Sequence, residues 1–85
     1  MISVYDLLDH LAAATEAADT GDDGAYGERV AAFQDGVGGT AGAIAGYEVD
    51  YVLRDLAAGL ELDEPPSAGA ARIRGALDRL RDIGV

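Results

Sequence analysis

Apolar side chains recur at intervals of three and four along almost the whole sequence, and no run of Val, Ile, Thr or aromatic residues alternates with a period of two. A helix buries one face with a 3.6-residue period, whereas a half-buried strand needs strict alternation, so the pattern predicts an all-α chain. The expected helices lie near 3–19, 25–35, 40–61 and 67–83, forming a small three- or four-helix bundle that is one domain over residues 1–85. A chain of this length without a single cysteine has no disulfide to hold it, and a domain this small buries only about 60% of the surface its unfolded chain exposes. With one Phe and no Trp, the core is expected to come largely from alanine and to be marginal alone. Self-association is the economical way to add buried area, so a homo-oligomer is expected.

In the first segment Val4, Leu7, Leu8, Leu11, Ala14 and Ala18 share a face. Ser3 stands where a helix N-cap would, with Asp6 in the capping-box position. The cluster from Asp19 to Gly24 ends this helix in a turn. In the second segment Tyr26, Val30, Phe33 and Val37 form a seam of the kind one helix packs against another, and Gly36, Gly38 and Gly39 then interrupt it. The third segment turns Val49, Val52, Leu53, Leu56 and Leu60 inward and pairs Asp50 with Arg54 at i,i+4. Pro65 and Pro66 end it. Ser67 is placed to cap the last helix, which carries Ile73, Leu77, Leu80 and Ile83 inward.

Gly38, Gly42 and Gly46, with Ala41 and Ala45 beside them, would form a smooth strip on a helix and let a neighbouring helix approach closely, from this chain or from a copy. The seam and strip residues Tyr26, Val30, Phe33, Gly38, Gly42 and Gly46, with Tyr47 and Tyr51, are the expected interface. Tyrosine suits such a place because it buries area while its hydroxyl stays wet.

Sixteen acidic against six basic side chains give a net charge of −10, which opposes nucleic acid and anionic membrane surfaces alike, because phosphate contacts need cations. There is no Lys and no Asn, a composition that a GC-rich genome or a halophilic cytoplasm produces without any functional cause. Residues 1–64 hold 14 acids against Arg29 and Arg54, whereas the last segment holds four Arg against two Asp, so the basic end can pack on an acidic body, its own or a partner's. The first residues lack the basic and apolar regions of a secretory signal. The uncharged stretch from Gly36 to Tyr47 is about a dozen residues, short of the ~20 that span a bilayer. A cytoplasmic protein is expected, or a virion component if the source is viral.

Several site patterns fail on their own residues. Gly36, Gly38 and Ala41 fit the spacing of a dinucleotide-binding turn, yet a helix precedes them where a strand should. Asp19, Asp23 and Gly24 match three positions of a calcium loop, but Gly21 and Val30 stand where two of its ligands belong. His10 is the only histidine, too few for a transition-metal site within one chain. Glu48 and Asp55, with Tyr51 between them, have a spacing that helical-bundle enzymes use to hold magnesium, and it is equally the spacing of a solvated acidic face. Acyl carrier proteins are also small, acidic and helical, but carry their prosthetic arm on a serine in an Asp-Ser-Leu sequence, and neither Ser3 nor Ser67 has that context.

No cofactor, metal or small-molecule substrate is therefore expected. The expected function is a non-enzymatic protein-protein interaction module, foremost a self-associating structural or assembly subunit of a viral or other multi-copy particle. The alternative is an acidic regulator whose Asp6, Asp9, Glu16, Asp19, Asp22 and Asp23 mask the basic surface of a nucleic-acid-binding protein.

Overall fold

The computed structural model describes residues 3–85, and among them the chain is all-α, with helices α1 (Val4–Thr20), α2 (Asp23–Gly38), α3 (Tyr47–Gly59) and α4 (Pro66–Ile83) around one apolar core. The Ser3 hydroxyl accepts from the Asp6 amide at 3.2 Å and the Asp6 carboxylate accepts from the Ser3 amide at 3.2 Å, closing the capping box at the start of α1. At the other end Gly21 adopts φ 79°, a left-handed conformation that glycine takes without a Cβ clash. Asp22 then caps α2 by accepting from the Ala25 amide, so α2 folds straight back along α1 and brings Arg29 within 3.2 Å of the His10 ring. Asp19, Asp22 and Asp23 thus form a helix-to-helix turn.

The core takes Leu7, Leu11 and Ala14 from α1, Val30 and Phe33 from α2, Val52, Leu53 and Leu56 from α3, and Ile73 and Leu80 from α4, all 6% exposed or less. Alanine contributes less than its abundance promises, only Ala14, Ala17, Ala70 and Ala76 being buried. The bulk is branched aliphatic, and such side chains each contribute about 1.5–3 kcal/mol when fully buried. The basic α4 does lie on the acidic body, as its charge implies: Arg74 makes a 2.7 Å contact with Asp19 of α1, and Arg72 reaches Glu64 at 3.2 Å. Both pairs are solvent-exposed, so they orient α4 more than they stabilise it.

Several boundaries differ from the sequence expectation, most of all around the connection between the second and third helices. The second helix continues past 35 to Gly38, and the third begins at Tyr47 instead of near 40, because the glycine-rich stretch between them is not helical. The third helix also stops at Gly59, before the prolines, where Leu60 turns into the core with 4% exposure. Gln34 holds that stop by donating to the carbonyls of Ala57 and Leu60 at 3.1 and 2.9 Å. Ser67 caps nothing: Pro65 holds the N-cap position, and Pro66 occupies the first turn, where its missing N–H costs no hydrogen bond. Ile83, expected inside, is 38% exposed at the end of α4.

Tyr26 is enclosed by this chain alone, 4% exposed, with its ring end against Gly69 of α4. Burial pushes its hydroxyl above the ordinary tyrosine range, Glu64 adds to the rise, and Arg72 opposes it. A Cβ at Gly69 would overlap the Tyr26 hydroxyl, whereas one at Gly27 would meet nothing within 4 Å. Gly69→Ala should therefore lower stability in urea unfolding by about 1–3 kcal/mol despite the better helix former, with part of the loss recovered by adding Tyr26→Phe. Gly27→Ala should raise stability by up to about 1 kcal/mol.

Candidate functional site

The segment between α2 and α3, residues 39–46, decides which way α3 presents its surface. Gly42 and Gly46 have φ of 80° and 91°, and Ala45 is a non-glycine residue at φ 53°. These conformations break any helix, so Gly38, Gly42 and Gly46 do not make the strip expected of them: Gly38 ends α2, Gly42 lies in the loop and Gly46 precedes α3. The four-residue spacing fits a helix, but glycine is the residue that most readily leaves one.

Two side chains of α3 hold the loop. Asp50 accepts from the Ile44 amide at 2.9 Å and from Arg54 Nε at 2.8 Å. Arg54 also donates to the carbonyls of Val37, Thr40 and Gly42, at 3.3, 2.9 and 3.0 Å. Ile44, pinned by its amide, drops into the core with 6% exposure. The i,i+4 ion pair expected from sequence is present, and its larger role is to satisfy the turn backbone. The Ile44 amide is the chief reason the Asp50 carboxyl lies below the usual aspartate range; desolvation opposes it, and the Arg54 guanidinium adds to the fall.

With the loop fixed, α3 starts so that Tyr47 and Tyr51 point outward, 87% and 65% exposed. They share an open groove of about 480 Å³ between α3 and the end of α4. Its apolar lining is Tyr47, Tyr51, Val52 and Ile83, and its charged lining is Glu48, Arg79 and Asp82. A second cavity of about 380 Å³ continues along the same α3–α4 seam, sharing Val52 and Arg79 and opened by the small residues Gly59, Gly75 and Ala76.

The other residues expected at an interface lie elsewhere. Tyr26, Val30 and Phe33 are 4%, 0% and 0% exposed within the single chain, so they offer a partner no side-chain surface. The same seam that would suit a second copy is used here to close the chain's own bundle. Of the expected contacts only Tyr47 and Tyr51 are both exposed and gathered into one cavity. Arg79 and Ile83, their neighbours across the groove, were not expected there. Their signal was faint: Arg79 precedes Asp82 at i,i+3, the less favourable order for a helical ion pair.

Among the described residues no group of three or more His, Cys, Asp and Glu side chains is arranged to hold a metal ion. Glu48 and Asp55 line different cavities, the Tyr47 groove and the Gly75 cavity respectively. No helix among the described residues is long and apolar enough to cross a membrane. Comparison with known proteins finds no matching family model, no matching curated protein and no matching solved structure.

The loop latch has a pH signature. A carboxyl whose folded-state pKa is depressed adds stability above its unfolded value, near 3.9, and loses that contribution as pH falls through the folded value. Asp50→Asn, which keeps an acceptor for Ile44 but removes the charge, should lower the urea midpoint at neutral pH. The gap from the parent chain should start to narrow as pH drops below about 4, where the unfolded chain takes up the proton, and close once pH has passed the depressed folded value, where Asp50 itself is neutral.

Proposed function

We propose that this chain is a non-enzymatic protein-protein interaction module that works through the α3–α4 groove, and that its partner is a further copy of itself in a structural assembly. The single observation that carries the reading is the pair of exposed tyrosines, Tyr47 and Tyr51, set beside Ile83 in one cavity while the rest of the large apolar side chains among the described residues, Tyr5, Leu62 and Val85 excepted, are at least partly buried. Aromatic residues on a concave apolar surface are the usual anchors of protein interfaces. A multi-copy particle, viral or cellular, is the setting in which such a small subunit gains buried area by repetition.

The reading as an acidic regulator draws less support from the fold. Three of the six carboxylates proposed for that face have duties inside the chain: Asp6 completes a capping box, Asp22 caps α2 and Asp19 holds Arg74.

The test is the mass in solution by light scattering, at low and at molar salt, with circular dichroism on the same samples. The parent chain should form a discrete oligomer that persists at molar salt, because salt screens repulsion between copies that each carry −10. Tyr47→Ala with Tyr51→Ala should leave the helical signal intact and change unfolding free energy by no more than about 0.5 kcal/mol, since both side chains are exposed. The same double variant should be monomeric. A parent chain of 8.7 kDa mass at every concentration would overturn the proposal.

A further inference from the structure

Five of the six arginines already have partners within the chain: Arg29 reaches His10, Arg54 the loop latch, Arg72 Glu64, Arg74 Asp19 and Arg81 Asp78. Arg79 is the one arginine whose side chain makes neither a hydrogen bond nor an ion pair among the described residues, although it stands in a chain with 16 carboxylates. Its place is equally particular, since it lines both α3–α4 cavities and therefore sits midway along the seam. Asp55 lines the cavity on one side of it and Asp82 the groove on the other.

A stable interface buries about 800 Å² on each partner, which is about one sixth of the 4838 Å² this chain exposes. Neither cavity alone supplies that area, so a partner held by Tyr47 and Tyr51 must also cover the seam around Arg79. Once covered, the guanidinium loses water and requires an acceptor, and a partner presenting cations there would be repelled. Resting on the self-association proposed above, we infer that two copies pair their α3–α4 seams about a two-fold axis, and that Arg79 of each copy is received by Asp55 or Asp82 of the other. A two-fold interface is self-complementary by construction: a surface carrying one unpaired arginine between two free carboxylates satisfies both halves at once. It also explains how copies with a large negative charge can meet, since the contact region contains the one arginine not already paired within the chain.

Arg79 is exposed and unpartnered, so Arg79→Glu should fold as the parent does, checked by circular dichroism and urea midpoint. Its dimer dissociation constant, from sedimentation equilibrium of the full chain at about 0.15 M salt, should rise about tenfold or more, with Arg79→Gln intermediate. A chain with Asp55→Arg and Asp82→Arg should also associate poorly alone. Mixing it with the Arg79→Glu chain should restore a mixed dimer, because both charge pairs are then re-formed with reversed sign at one of the two sites. If Arg79→Glu associates like the parent while Tyr47→Ala with Tyr51→Ala does not, the arginine pairing is overturned and self-association through the tyrosines stands. If both weaken association but the mixed chains fail to pair, Arg79 does not meet those carboxylates and the two-fold arrangement is overturned. A parent chain that stays monomeric overturns both.

Discussion

The Arg54 guanidinium holds the one place where this fold departs from helices joined by tight or proline-bounded connections. It donates to three backbone carbonyls around the glycine-rich loop and to Asp50, which in turn holds the Ile44 amide. Without those donors the end of α2 and the following turn would leave carbonyl groups to be met by water alone, and nothing would hold Ile44 in the core. The latch therefore sets where α2 stops, where α3 starts and which face of α3 meets solvent. A planar group with donors along two edges suits this task in a way an ammonium would not, since several carbonyls at different angles must be reached from one side chain.

The same economy recurs at the other connections. Gly21 and Asp22 turn α1 into α2 with a left-handed glycine and an aspartate cap, and Gln34 closes the end of α3 through two carbonyls. Buried polar side-chain atoms among the described residues all have partners, and the core itself contains no charged residue. The acidic side chains lie outside, where their mutual repulsion is screened by water and salt. Several are drawn into caps and ion pairs, so that the high negative charge is partly structural at the helix ends. Tyr26 and Gly69 show how closely α2 and α4 approach: a ring on one helix occupies the space a side chain would have filled on the other.

Against this closed interior, the α3–α4 seam is the surface with unmet capacity. It combines exposed aromatic area, small residues that leave a cavity, an arginine without an acceptor and carboxylates without a donor. Each alone is ordinary on a protein surface. Their concentration on one side of a molecule only 33 × 25 × 19 Å across sets this side apart from the rest of the surface.

Helix periodicity, the Ser3 capping box, the turn at Gly21, the Asp50–Arg54 pair and, Ile83 excepted, the inward faces of the four helices could be read from the sequence, because each depends on residues within four positions of one another. The four-residue repeat Gly38, Gly42 and Gly46 misled for the complementary reason. Spacing alone does not distinguish a helical strip from glycines at turns, and only the hydrogen bonds from Arg54 and Asp50 make the non-helical path favourable. Tyr26, Val30 and Phe33 announced a seam without announcing what would cover it. A helix face carries no mark of whether its partner belongs to the same chain, and it was the return of α3 and α4 that enclosed these residues. For the same reason the isolation of Arg79 and the exposure of Ile83 belong to tertiary structure: a side chain's partners and its share of solvent are set by which helix lies across from it, a long-range fact that local spacing does not encode.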